Sequence, residues 1–281
     1  AVRIESIEIK NFKNVGYGYL DFENAKKGYA ASVLGLYGQN GSGKTALIDA
    51  LKLLRLALSG RSVPAYFADY VNVDSECATI KYGLSVQNME DESAYSAFYE
   101  VSIRRDIEEN GQNVEHGDEE AGHKVTLFNE ALSYAYKDQK VKIRRTSMID
   151  TKTNHAIFIP KVKYDEMIGK DKETETNLFV AKQLARTTSR SFIFSREFLN
   201  ALRKNCKEER HRFLMESLVF FGNYELFVIT TRNTGLISMD ALPLAFNYAE
   251  NKRFAAGSIL VKLDGPSIIP ESAVPVVLKV I

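Results

Sequence analysis

The residues whose types and spacing could do chemistry are Gly38-Gln39-Asn40-Gly41-Ser42-Gly43-Lys44-Thr45. They fit the phosphate-binding pattern G-x-x-x-x-G-K-S/T in full. At average residue usage such a string arises by chance in roughly one chain in a hundred of this length. The glycines open backbone angles closed to other residues and let the main chain approach a ligand. Successive N–H groups then point at phosphates, and the helix that follows adds its dipole. Lys44 is the residue expected to reach the β- and γ-phosphates, and Thr45 the one expected to offer its hydroxyl to Mg²⁺. The alternative reading is a Gly-rich turn ahead of a core helix.

Such a loop must leave a buried strand and enter a helix. Ala31 to Tyr37 is an apolar run of strand length, and a helical pattern runs from Gly43 to Ser59-Gly60, where Gly60 can supply a left-handed cap. That helix is apolar almost all round, with Asp49, Lys52 and Arg55 as a narrow polar stripe, so it belongs between layers. Ahead of it, Val2 to Ile9 and Tyr17 to Phe22 read as an antiparallel strand pair. Thr79 to Val86, Ala97 to Arg104, Leu132 to Tyr136 and Lys140 to Arg144 read as an antiparallel meander. Asp106 to Lys124 reads as a loop and Lys170 to Glu175 as a charged linker. Helical patterns follow over Asn177 to Arg186 and Arg196 to Phe220, then strand patterns over Leu226 to Thr230 and Ser258 to Leu263. The apolar end, Leu278-Lys279-Val280-Ile281, suggests a chain cut from a longer one.

The wording of the loop, with Asn-Gly-Ser-Gly ahead of the lysine, resembles the ABC-type ATPase heads of the SMC, RecF and OLD (overcoming-lysogenisation-defect) group. Ile7-Glu8-Ile9-Lys10-Asn11-Phe12-Lys13-Asn14, Leu20-Asp21-Phe22 and Leu47-Ile48-Asp49-Ala50-Leu51 resemble that group's opening as well. The match is close over residues 3 to 58 and extends further only in layout. The nearest resemblance is to the OLD-like ATPases of bacterial anti-phage defence. It implies an α/β P-loop NTPase fold, ABC-ATPase-like, with an antiparallel β-meander and a helical portion. The portions would be 1–60 for the phosphate-loop core, 61–169 for the meander, 170–222 for the helices and 223–281 for a truncated return to the core. It implies ATP and Mg²⁺ as cofactors, held by Gly38, Gln39, Asn40, Gly41, Ser42, Gly43, Lys44 and Thr45, with Thr45 on the metal. Lys13 would lie near the base or sugar; the plain alternative is a solvated loop lysine. Function would be that of an ATPase module whose Mg-ATP-dependent homodimerisation drives a nuclease or other effector. The alternative is a RecF- or SMC-like ATPase that itself binds DNA in repair or recombination.

This chain also departs from the group. No four-residue apolar strand is followed by Asp-Glu; Ile259-Leu260-Val261-Lys262-Leu263-Asp264 comes nearest, with Gly265 in place of the glutamate. A signature loop and a switch histidine are missing too. The catalytic carboxylates are thus unassigned, and the chain alone is expected to bind ATP without turning it over efficiently. The glutamine that senses the γ-phosphate could be Gln87 or Gln183.

Several signals have plainer readings. Lys140, Lys142 and Arg144 alternate as on the wet face of a strand, and Arg203, Lys207 and Arg210 share a helix face diluted by Glu208 and Glu209. Ser191 to Phe198 and Leu218 to Phe221 read as core, and His211 as surface. The 281 residues balance 37 Lys and Arg against 36 Asp and Glu, so no global field draws the chain onto nucleic acid or anionic membrane. No apolar run approaches a membrane span, and Cys77 and Cys206 form no pair or metal motif, so a cytoplasmic location is expected. The four histidines lack metal-ligand spacing, and no guanine-reading Asn-Lys-x-Asp string occurs.

Overall fold

The computed structural model describes residues 1–22, 36, 43–88, 92–107, 123–152, 159–169, 172–226, 228–230, 258–261 and 277–279. Residues 38–42 of the phosphate loop, the expected strand over Ala31 to Tyr37 apart from Leu36, and Asp264 lie outside them.

Six strands form one antiparallel sheet: β1 (Val2–Phe12), β2 (Val15–Asp21), β3 (Cys77–Gln87), β4 (Ala94–Ile107), β5 (His123–Lys137) and β6 (Lys142–Asp150), in the order β2-β1-β3-β4-β5-β6. Alternation sets its faces. Ile7 and Ile9 on β1, Ile80 and Tyr82 on β3, and Tyr99 and Val101 on β4 are buried on one side. Glu8 and Lys10, Lys81 and Glu100 stand on the other, where Lys81 bridges to Glu100 at 3.3 Å and Lys152 pairs with the same carboxylate. β1 lies between β2 and β3: Ile7 pairs with Leu20 of β2 and with Tyr82 of β3.

Helix α1 (Lys44–Leu58) lies on the apolar face. Leu51, Leu53, Leu54, Ala57 and Leu58 are almost wholly excluded from solvent. Each such leucine contributes about 1.5–3 kcal/mol by burial. The Tyr82 hydroxyl donates to the Ala50 carbonyl at 2.6 Å, fixing the middle of α1 over β3. At the far end Gly60 adopts φ +63°, and the Gly60 and Arg61 N–H groups close on the Ala57 and Leu56 carbonyls at 3.0 and 2.9 Å. This is the left-handed stop expected of Gly60. A 3-10 turn, Ala65–Tyr70, follows and packs Phe67 into the core.

The helical portion comprises α2 (Lys161–Met167), α3 (Lys172–Thr187), α4 (Arg196–Asn205) and α5 (Glu209–Phe220). Three expectations need correction. Residues 172–175 open α3 instead of linking, because Glu173 and Glu175 suit a helix N-terminus. The pattern over Arg196 to Phe220 is two helices, since Cys206 and Glu208 are extended between them. The loop expected over Asp106 to Lys124 is shorter, because β4 runs to Ile107 and β5 starts at His123. The segment between α3 and α4 is core, as expected, with Phe192, Ile193, Phe194 and Phe198 buried. It hangs on Glu130 of β5, a buried carboxylate that accepts from the Tyr99 hydroxyl (2.6 Å), the Ser191 hydroxyl (2.5 Å) and the Phe192 N–H (2.7 Å). Burial raises the pKa of Glu130 and those donors oppose the rise.

A second sheet joins β7 (Val228–Thr230), β8 (Ser258–Val261) and β9 (Val277–Lys279), all antiparallel, with β8 in the middle. The nearest approach to a magnesium-carboxylate strand, Ile259 to Asp264, therefore begins on β8; its Asp264 is not described.

Candidate phosphate-binding site

The described part of the site is the start of α1 and what surrounds it. Gly43 caps the helix at φ +89°, a left-handed conformation that disfavours any side chain. A Cβ there would also meet Val15 Cγ2 at 3.0 Å. Lys44 and Thr45 are the first two helical residues, Lys44 half-buried and Thr45 exposed. The first turn carries no acidic side chain, so the helix's own residues do not neutralise its positive end.

The β1–β2 turn clasps this end of the helix. Val15 packs at Gly43, and Lys13 reaches one turn further to Asp49, with Nζ 2.5 Å from Oδ2. Asp49 lies four residues after Thr45, on the same helix face. It is 2% exposed and is shared with Lys52, whose Nζ lies 3.3 Å from Oδ1. The polar stripe read from the sequence is therefore not solvated at Asp49. Lys13 is held in turn by the backbone: it has φ +55°, and its N–H donates to the Tyr70 carbonyl at 2.6 Å. Its ammonium stands 4.2 Å from the centre of the Tyr70 ring.

Tyr66 and Tyr70 complete the surround. Their rings meet edge to face at 5.7 Å, and Tyr66 remains half-exposed. Burial first, then the charge on Asp49, raises both phenol pKa values, that of Tyr70 to about 12. Both hydroxyls therefore remain protonated donors at neutral pH.

Of the residues singled out in the sequence, Gly43, Lys44, Thr45 and Lys13 come together here. Lys13 is neither free nor fully solvated: its side chain is 24% exposed and ion-paired. Gln87 does not join them. It ends β3 beside Ala1, at the opposite end of β1 from Val15, about ten residues and ~33 Å of strand away. Gln183 lies on α3 in a cavity against β5. Asp49, Tyr66 and Tyr70 belong to the site, yet sequence spacing gave no sign of the tyrosines. Asp49 stood out only as a charge on an otherwise apolar helix.

Elsewhere, His211 is buried, contrary to the surface reading. Its Nε2 lies 2.8 Å from the Tyr134 hydroxyl, because α5 turns that residue onto β5. Lys140 sits in the β5–β6 turn, and Lys142, Arg144 and Arg145 are the exposed cations of β6. The shared helix face expected of Arg203, Lys207 and Arg210 does not form, because Arg203 lies on α4, Lys207 between the helices and Arg210 on α5; Arg210 pairs with Glu208 at 2.7 Å and Arg203 with Glu216 at 3.2 Å. Among the described residues no cluster of His, Cys, Asp and Glu could hold a metal, and no helix is long and apolar enough to cross a membrane.

A phosphate-loop sequence entering a helix on the apolar face of a mixed α/β fold defines a P-loop ATPase. The chain belongs to the AAA domain family, whose model matches residues 6–225. No curated protein matches it. Among solved structures it is similar to the recombination mediator protein RecF with ATP, of the RecFOR pathway. That likeness has 15% identity, covers 97% of this chain and 76% of that one, and has a TM-score of 0.28. A second structure of RecF, with ATPrS, gives 14% identity, 94% and 75% coverage and a TM-score of 0.27. Family membership rests on the match over residues 6–225, not on these distant likenesses.

Proposed function

We propose that the chain is the N-terminal part of an ATPase domain that binds Mg-ATP at residues 38–45, dimerises around it and drives an effector. The observation that carries the reading is the exposed, positive start of α1, with Gly43 left-handed, Lys44 and Thr45 leading, and the β1–β2 turn clasped to it. The backbone of Gly38, Gln39, Asn40, Gly41, Ser42 and Gly43 would cradle the phosphates, Lys44 would bind the β- and γ-phosphates, and Thr45 would hold Mg²⁺. Lys13 positions the turn beside the nucleotide, with Tyr66 and Tyr70 behind it. Hydrolysis needs a carboxylate to place the attacking water and charge stabilisation of the transferred phosphoryl group. Lys44 and the Thr45-bound metal supply part of the second. The water-placing carboxylate has no assigned residue here, and a loop from a second protomer would add to the charge stabilisation, so assembly would switch turnover on. An OLD-like role in anti-phage defence, with a nuclease partner in the cytoplasm, agrees with the loop wording and the Asn-Phe-Lys-Asn opening.

The test is a thermal shift with Mg-ATP. At ~100 times its dissociation constant the ligand should add about 2.7 kcal/mol. Lys44→Ala should remove most of that. Equal shifts with and without Lys44 would refute the site, and a monomer in saturating Mg-ATP, seen by sedimentation, would refute the dimer.

A further inference from the structure

A cavity of about 330 Å³ opens between β5 and α3. It lies three strand spacings, ~14 Å, across the sheet from β1, whose turn clasps the phosphate helix. Its walls carry four cations: Lys152 just past β6, Lys182 and Arg186 on α3, and Arg190 just beyond it. Lys182, Arg186 and Arg190 follow one another at intervals of four, which stacks the first two on one helix face. Like charges so placed repel, and here they do so in a hollow. Lys182 is half-buried, and burial and the Arg186 charge lower its pKa while Asp150 opposes. Arg190 is held by its Nε donating to Ser62 Oγ at 2.9 Å.

Among the described lining residues four cations stand against one carboxylate, Glu130, which accepts from Tyr99, Ser191 and Phe192. Outside the cavity, Glu100 pairs with Lys152, Asp106 faces Arg186 and Asp150 faces Lys182. A concave wall with such an excess of one sign focuses its field on whatever fits inside. Phe179, 41% exposed, and Phe128 add an apolar side to the wall.

We propose that this cavity is a second anion site, distinct from the phosphate loop, that takes a small ligand carrying two or more phosphate groups. Its volume is that of a small-molecule site. A free polyphosphate and the end of a nucleic-acid strand offer the same chemistry, and the experiment separates them. The full chain carrying Lys44→Ala, which silences the phosphate loop, is titrated by calorimetry with inorganic triphosphate and by anisotropy with labelled dT8. Triphosphate should bind, and Lys182→Glu with Arg186→Glu should weaken it about tenfold or more. Binding of dT8 instead, with the same loss and a log–log salt slope shallower by about 1.4, assigns the phosphates to nucleic acid and upholds the site. The neutral pair Lys182→Gln with Arg186→Gln should weaken the same probe, with an unchanged melting temperature as the folding control. With Lys44 restored, the double variant should keep the full Mg-ATP thermal shift, so this site and the phosphate loop fail separately. Absence of binding by both probes, or binding that neither double variant alters, overturns the proposal.

Discussion

The buried histidine gives the fold a specific weakness to mild acid. His211 is 4% exposed, its Nε2 faces the Tyr134 hydroxyl, and its Nδ1 has no hydrogen-bond partner among the described residues. Burial, then the positive charge of Lys163, lowers its pKa to about 4; Arg210 adds to this and Glu208 opposes it. The unfolded chain takes up the proton near pH 6.5, whereas the folded chain refuses it until about pH 4. Across that window the unfolded state binds more protons, so stability falls as pH falls. Above pH 6.5 the contribution is whole, and it is spent by about pH 4. Integrating the two titrations gives a loss of about 2 kcal/mol between pH 7 and pH 5. Urea unfolding of the wild type and His211→Gln at both pH values measures it. The variant is less stable at pH 7, but should lose about 2 kcal/mol less on acidification. Parallel pH profiles would show that His211 is protonated in the fold and that its burial has been misjudged.

Four further outcomes are expected. Lys13→Met should cost about 2 kcal/mol, because a buried Asp49 keeps only Lys52, while Asp49→Asn should cost less, since both lysines can turn to water; melting curves that rank them otherwise refute the clasp. Glu130→Ala should cost about 3 kcal/mol or more by stranding the Tyr99, Ser191 and Phe192 donors, as judged by denaturant midpoint. Because the pKa of Glu130 is raised, the folded state favours its protonated form, so its contribution is greatest below the unfolded value of 4.5 and declines as pH rises through the folded value; Glu130→Gln should flatten that slope. GTP should compete with labelled ATP to within a hundredfold, since no guanine-reading motif is present, and a preference for GTP beyond that would contradict the ATPase reading.

The parts of the fold that were legible in the sequence were those dictated by local pattern. Alternation fixed β1, β3 and β4, and the Gly43-to-Gly60 run fixed α1 almost to the residue, because a positive-φ glycine bounds each end. What escaped was decided by tertiary contact. The α4–α5 break carries neither Gly nor Pro at Cys206 to Glu208, so nothing local announces it. His211 looked solvated among Arg210 and Arg212, yet α5 turns it inward while Arg210 lies over the Tyr136 ring. At the candidate site the phosphate-loop motif was explicit. The Lys13–Asp49 pair joins residues 36 positions apart, and Tyr66 and Tyr70 arrive on a 3-10 turn with no periodic signature.

The pairing of β1 with both β2 and β3 makes everything between Asp21 and Cys77 a detour from a sheet that closes without it. The phosphate loop and α1 form much of that detour. Polar fastenings tie the detour back to the sheet: Lys13 to Asp49, Tyr82 to Ala50, the backbone bonds Lys13 to Tyr70 and Asn72 to Asn11, and Arg105 of β4, which donates to the Ala68 and Val71 carbonyls at 3.1 and 2.6 Å. News of the γ-phosphate must reach the sheet through those and the packed leucines of α1. Amide exchange should then report nucleotide at α1, at Lys13 and around Arg105 of β4, and fall silent along β6.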